Sequence, residues 1–297
     1  MAIQTVRAKV NGTWHTLTYN SSTGAWEASI TAPSVTSYTQ PNHYYNVEVE
    51  ATNTAGTQET ADAGSLDGLK LYVKEVTAPV ITIQSPTSGA YVTNNLQPVI
   101  FTVTDTGSGV NPSSVAVKLD GTAVAAATIT RETITNGYRF TYTPASALSD
   151  GSHTVTVNAS DYDGNAAAQK TTTFTVDTVA PTLNVTAPTE GYITNTAALT
   201  VAGTTNDATS SPVTVKITLN GTDQGTVSVS GGAFSKAVTL AEGSNTLVVT
   251  STDLAGRSTT VTRMVTLDTS VPVIVSATIT PNPVDVGQTM LISVVIQ

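Results

Sequence analysis

The 297-residue chain contains no cysteine. That one absence excludes disulfides, thiolate zinc sites, iron–sulfur clusters and cysteine nucleophiles. Histidine is nearly as scarce, and His15, His43 and His153 are too widely spaced to suggest a metal cluster. Charged residues make up only 11%, and 21 acidic residues against 12 basic ones leave a net charge of −9. With no Lys/Arg cluster, neither nucleic acid nor an anionic membrane is expected as a main partner. No apolar run approaches the ~20 residues of a bilayer-spanning helix, so no membrane insertion is expected.

What the chain has instead is threonine, about a fifth of all residues, with valine and alanine behind it. Thr and Val are β-branched, which favours strands over helices. The 39% apolar content is enough to bury several small cores. No helix longer than a turn or so is predicted.

The sequence repeats itself. Ala78-Pro79-Val80-Ile81-Thr82-Ile83 through Gly89-Ala90-Tyr91-Val92-Thr93-Asn94 returns about 100 residues later as Ala180-Pro181-Thr182-Leu183-Asn184-Val185 through Gly191-Tyr192-Ile193-Thr194-Asn195. A third start, Val271-Pro272-Val273-Ile274-Val275, follows. A turn dipeptide recurs as Asn11-Gly12, Asp120-Gly121 and Asn220-Gly221, residues that accept the positive φ of tight hairpins. A closing strand recurs as Val47-Glu48-Val49-Glu50-Ala51, Val155-Thr156-Val157-Asn158-Ala159 and Leu247-Val248-Val249-Thr250-Ser251. Its alternation predicts one buried face, with Val47, Val49 and Ala51 inward in the first copy.

Short strands with turn signals between them, repeated every 90 to 100 residues or so, are the pattern of an immunoglobulin-like β-sandwich. Asp177-Thr178-Val179-Ala180-Pro181, Asp105-Thr106-Gly107-Ser108-Gly109-Val110 and Asp161-Tyr162-Asp163-Gly164-Asn165 resemble the bacterial Ig-like domains strung along surface proteins, adhesins and phage tail proteins. The expected fold is all-β: tandem immunoglobulin-like β-sandwiches arranged as an elongated rod. Its divisions are an N-terminal unit over 1–76, complete units over 77–177 and 178–268, and a two-strand tail over 269–297. The resemblance specifies an architecture that serves many functions.

The first unit reaches its turn at Gly12 after only eleven residues and so lacks two opening strands, whereas the tail consists of two such strands. Unpaired strand edges invite pairing. This raises strand donation, in which Met290, Leu291, Ile292, Ser293, Val294, Val295 and Ile296 would complete a sheet on a neighbouring copy. A truncated chain or a smaller first domain accounts for the same pattern.

Motifs of chemistry are sparse. Asp105-Thr106-Gly107-Ser108 matches the aspartic-protease signature, but that reaction needs two carboxylates sharing a proton, and no second copy of the motif exists. Asp161-Tyr162-Asp163-Gly164-Asn165 opens like a calcium loop but has Thr172 where the bidentate Glu belongs, so it reads as a hairpin turn. The linker carboxylates Asp177 and Asp268 are of the type calcium takes, yet no linker is dense enough in ligands to assign one. No cofactor, no metal and no enzymatic activity are expected.

Aromatic residues gather in the first unit. Trp26 follows Gly24-Ala25 as Phe234 follows Gly232-Ala233 and reads as core, and Tyr45 shares the inward parity of Val47. Trp14, His15, His43 and Tyr44 have no apolar counterpart elsewhere and are the candidates for surface contact. The N-terminal stretch reads as a strand with no apolar signal core. It is therefore expected in a protein made in the cytoplasm and released within a particle, or in an excised fragment. The resulting expectation is a structural or adhesive component of a virion, such as a phage tail protein, with other copies, other particle proteins or a host surface glycan or protein as partners. The alternative is a fragment of a secreted bacterial cell-surface adhesin.

Overall fold

The structure, a computed structural model, describes residues 2–297. Regular structure is strand throughout, with a few three-residue 3₁₀ turns. The chain divides into two compact units, one ending at Val176 and the other running Asp177–Gln297.

The first unit contains two modules. In the N-terminal one, a five-stranded sheet runs in the order Ala25–Glu27, Thr13–Asn20, Ile3–Val10, Glu48–Asn53, Gln58–Ala61. A second, separate sheet among the described residues is the short pair Tyr45–Asn46 and Lys70–Leu71. Val6, Ala8, Val10 and Tyr45 are buried, as the alternation predicts for Tyr45. The closing strand departs from expectation. Val49 and Ala51 are only half-buried, and the more buried residue is Glu50 on the opposite face. Arg7 explains this, donating to both Glu50 oxygens at 2.8 and 3.0 Å from the neighbouring strand. Trp26 is likewise half-buried, lying against exposed Tyr19, because its short strand sits at the sheet edge with little packed over it.

The second module is a sandwich. One sheet runs Ile129–Ile134, Gly137–Tyr142, Val99–Thr104, Val80–Ser85; the other runs Thr122–Ala123, Val110–Leu119, Gly151–Asp161, Lys170–Val176, Ala90–Val92. Phe101, Val103, Val155, Val157, Phe174 and Val176 close the core between them. Each such side chain contributes about 1.5–3 kcal/mol by leaving water.

The unit that begins at Asp177 repeats this plan. Thr182–Ala187, Ala198–Asn206, Ala233–Thr239 and Val229–Ser230 form one sheet; Tyr192–Thr194, Ser258–Leu267, Gly243–Thr252, Thr214–Leu219 and Thr222–Asp223 form the other. Val201, Ile217, Leu247 and Val249 are fully buried. Beyond it, Ile274–Thr280 pairs antiparallel with Leu291–Ile296 in a separate hairpin.

Candidate metal centres

All three predicted turn dipeptides adopt positive φ at both residues: 47° and 82° at Asn11 and Gly12, 51° and 79° at Asp120 and Gly121, 50° and 80° at Asn220 and Gly221. These hairpins fix the register of the second and third modules alike. The shared sandwich plan, which brings two strand ends from opposite sheets beside the preceding linker, places three acidic residues together in each. Glu75, Asp105 and Asp161 each place one carboxylate oxygen within 4.8 Å of the others, and Asp177, Asp207 and Asp253 do the same.

The members correspond by position. Glu75 and Asp177 stand four residues ahead of the opening prolines, Pro79 and Pro181. Asp105 and Asp207 leave the strands Val99–Thr104 and Ala198–Asn206. Asp161 ends the strand Gly151–Asp161, and Asp253 follows Gly243–Thr252.

Local turn chemistry orients each acid. Asp105 Oδ2 accepts from the backbone N–H of Gly107 at 3.1 Å and of Gly109 at 2.6 Å. Asp207 Oδ1 accepts from Thr209 at 2.8 Å and Ser210 at 2.7 Å. Asp161 Oδ1 accepts from Asn165 N–H at 2.7 Å, and Asp253 Oδ1 from Arg257 N–H at 2.9 Å. Side-chain-to-backbone bonds of this kind hold loops that strands cannot. The remaining pieces close in from the segment ahead of each module. The Ser108 N–H donates to Glu75, and the Ser210 hydroxyl donates to Asp177.

The second cluster is withdrawn from water, with Asp177 0%, Asp207 7% and Asp253 6% exposed. Asp253 Oδ2 is buried and has no hydrogen-bond partner. An unpartnered buried acceptor costs about 1–3 kcal/mol. Three like charges at this range add repulsion on the order of 3 kcal/mol per pair at an effective dielectric near 20. A divalent cation relieves both costs. The donors are all oxygens, the set that Ca²⁺ and Mg²⁺ accept, and neither Cys nor His joins them. The residues therefore fit a hard divalent cation.

Around the first cluster the network extends into the N-terminal module. Asp163 Oδ2 accepts from Thr36 Oγ1 at 2.5 Å and from Glu75 N–H at 3.0 Å. Asn165 Nδ2 donates to the Glu75 carbonyl at 3.1 Å. The rings of Tyr38 and Tyr162 stack at 4.4 Å. Burial, with Tyr162 and Asp163 nearby, pushes the Tyr38 hydroxyl pKa up.

Of the two linker carboxylates singled out in the sequence, Asp177 is a cluster member. Asp268 is exposed, and hydrogen bonds from the Ser270 hydroxyl and N–H hold its pKa below the usual carboxylate range. The hairpin Asp161 to Asn165 is a turn, as expected, but Asp161 also serves the first cluster, and so does Asp105. The sequence missed both roles, although the fixed spacing of Glu75, Asp177 and Asp268 ahead of Pro79, Pro181 and Pro272 was a usable signal.

The four surface-contact candidates do not converge. Half-buried Trp14 lies under Arg7 and Lys9, with their charged groups 4.4 and 5.5 Å from its ring centre. His15 is also half-buried. His43 is exposed and stacks on Tyr38 at 4.1 Å. Tyr44 meets Tyr72 edge-on at 6.3 Å, with the Lys70 ammonium 5.5 Å from its ring. Among the described residues no ring contact joins two of the four. Met290 precedes the last strand, and Leu291 to Ile296 are exposed along its whole length.

Fold and repeat together define a tandem immunoglobulin-like β-sandwich protein. Comparison with known proteins agrees. Residues 76–178 match the model of a bacterial Ig-like domain family, and residues 181–269 match that of glucodextranase, domain B. Bacillopeptidase F of Bacillus subtilis (strain 168) is 33% identical over 127 residues, which is 43% of this chain. The chain spans only 8% of that protein's length. Among solved structures, the fibronectin(III)-like modules of Clostridium thermocellum CbhA are 18% identical, covering 64% of this chain and 94% of theirs, at a TM-score of 0.42. A bacterial ice-binding adhesin is 22% identical over 90% of this chain and 88% of its own, at a TM-score of 0.30. No helix among the described residues is long and apolar enough to cross a membrane.

Proposed function

We propose that the chain is a structural and adhesive stretch of an extracellular particle or surface fibre, and that divalent cations held by the acidic clusters fix its loops. The recurrence of a three-carboxylate cluster at the same place in two modules, fully buried in the second, carries this reading. Glu75, Asp105 and Asp161 would hold one cation, and Asp177, Asp207 and Asp253 the other. A bound ion supplies counter-charge and cross-links three segments distant in sequence, which stabilises the native loops over the unfolded chain. Calcium is the favoured ion, since it tolerates irregular oxygen cages that magnesium does not.

Thermal unfolding of the whole chain in millimolar calcium against excess chelator tests this. A stabilisation of about 3–4 kcal/mol is expected at a free calcium concentration several hundred times Kd. Asp105→Asn with Asp207→Asn abolishes the response. Superimposable melting curves with and without calcium overturn the cation role.

Two settings use such a stretch: a phage tail or related virion appendage, and a bacterial cell-surface adhesin. The match to a bacterial Ig-like domain family supports the second as well as the first. Mass spectrometry of purified virions and of cell-surface fractions separates them.

A further inference from the structure

We infer that Arg257 makes the cluster of Asp177, Asp207 and Asp253 the weaker of the two cation sites, so that the chain responds to divalent cations in two steps. The inference rests on the clusters being cation sites and assigns to one residue the difference between them.

Asn165 and Arg257 hold the same place. Each donates its backbone N–H to the turn aspartate, Asp161 or Asp253. Each also sends a side-chain N–H to the carbonyl of the residue four ahead of the opening proline. Asn165 Nδ2 reaches Glu75 O at 3.1 Å, and Arg257 Nε reaches Asp177 O at 3.1 Å. The architecture is conserved between the two modules while the charge is not. Asn165 is neutral, and its amide also satisfies Asp161 Oδ2 at 2.7 Å. Arg257 brings a permanent positive charge to the same carbonyl and leaves Asp253 Oδ2 without a partner.

A second difference points the same way. Asp163 lies beside the first cluster and accepts from the Glu75 N–H, whereas Ala255 stands in its place in the later module. The first site therefore gathers three converging carboxylates, has Asp163 hydrogen-bonded to the backbone of one of them, and has no cation of its own. The second gathers three carboxylates and one guanidinium. Affinity for a divalent ion follows the negative charge collected around it and the rigidity of the cage. Asp253 Oδ2, buried and claimed by no hydrogen bond, is the oxygen through which the second cluster would take an ion. The guanidinium lowers the field that would draw one in.

The two sites also carry different reporters. Tyr162 lies between Asp161 and Asp163, and Leu254 stands at the equivalent position in the later module. Terbium excited through tyrosine therefore reports the first site, while calorimetry with calcium reports both. Two phases are expected for the full chain. Asp105→Asn removes the tighter phase together with most terbium luminescence, and Asp207→Asn removes the weaker phase. Arg257→Asn tightens the weaker phase about tenfold or more and leaves the tighter one in place. Arg257→Lys keeps the charge and leaves the weaker phase within a few-fold of the original, which separates charge from hydrogen-bond geometry. Circular dichroism establishes that each variant is folded. The inference is overturned if Arg257→Asn leaves the second phase unmoved or weakens it, or if Asp207→Asn removes the tighter phase. Absence of both heat and luminescence in the unmodified chain overturns the cation reading itself, and the inference with it.

Discussion

The second and third modules share a plan but solve the same two local problems with different residues. At the centre of the first-named sheet, Phe101 faces Phe140 across a strand pair, their rings stacked at 5.2 Å. At the same point in the later module, Gly203 faces Phe234. A Cβ placed on Gly203 would lie 2.3 Å from the Asn184 carbonyl oxygen and 2.6 Å from the Phe234 ring. One module fills the space with two rings, and the other folds one ring over a glycine. The sandwich specifies a volume to be filled rather than particular residues to fill it.

Breaking this pair gives the largest expected effect. Phe101→Ala removes half of a stacked, fully buried pair and costs about 3–5 kcal/mol. Gly203→Ala adds a single methyl group where none fits and costs about 1–3 kcal/mol through strain. Scanning calorimetry of the whole chain should show each variant lowering the transition of its own module and leaving the other in place. Loss of both transitions from either change would mean that the two cores are not independent.

The second difference lies at the hairpin dipeptides. In the second module, His153 Nδ1 meets Asp120 Oδ2 at 2.7 Å and Nε2 meets the Ser149 carbonyl at 2.8 Å. In the third, Asn220 Nδ2 donates to Asn245 Oδ1 at 3.0 Å, and Asn245 Nδ2 donates to the carbonyls of Ala241 and Gly243 at 2.7 and 3.0 Å. Both ring nitrogens of His153 face acceptors, so the doubly protonated ring satisfies both. Burial alone would lower its pKa. The hydrogen bonds to Ser149 and Asp120, together with the Asp120 charge, outweigh burial and raise the pKa above the ordinary 6.5. The folded state therefore binds this proton more tightly than the unfolded chain does. The stabilisation is fully present below pH 6.5 and is lost as pH rises through the elevated value. Melting of the second module between pH 5 and 9 should show this decline, and the third module, with Asn220 and Asn245 in place, should not. The double variant Asp120→Asn, His153→Asn, which transplants the third module's pair, should flatten the profile. A decline that survives the transplant would assign it to another group.

These contrasts also show which features of the chain are readable before folding. The hairpins were legible because Asn-Gly and Asp-Gly carry their backbone geometry in two adjacent residues. The strands were legible because inward positions recur every second residue. The acidic clusters were not, because each joins residues from three distant segments and each aspartate has a sufficient local explanation as a turn former. Asp105 and Asp161 do make those turn bonds, and only the folded sandwich, with the preceding linker laid beside two strand ends, shows that they also converge. Trp26 and Val49 were misplaced for a related reason. Trp26 was placed by its match to Phe234 and Val49 by strand parity, and neither signal states how much of the molecule packs over a residue.

The smallest effect on module stability is expected from the hairpin that follows the third module. Its strands, Ile274–Thr280 and Leu291–Ile296, are exposed residue by residue on both faces. Ile274 is 66% and Leu291 68% exposed, so their burial adds little to any core. The hydrogen bonds that do reach the third module come from residues before the hairpin: Asp268 N–H donates to the Thr194 carbonyl at 2.9 Å, and Thr269 donates to Glu242 at 3.1 and 2.8 Å. Removing 271–297 keeps those bonds and takes away only a two-stranded ribbon, which is marginal by itself in water. The third module's transition should move by less than about 0.5 kcal/mol. Self-association should fall, since an unpaired ribbon with apolar side chains on both faces invites other strands. Sedimentation velocity over a range of protein concentrations measures the second effect and calorimetry the first. A large loss of third-module stability would show that the hairpin belongs to its core, and unchanged association would show that its exposed strands are not sticky.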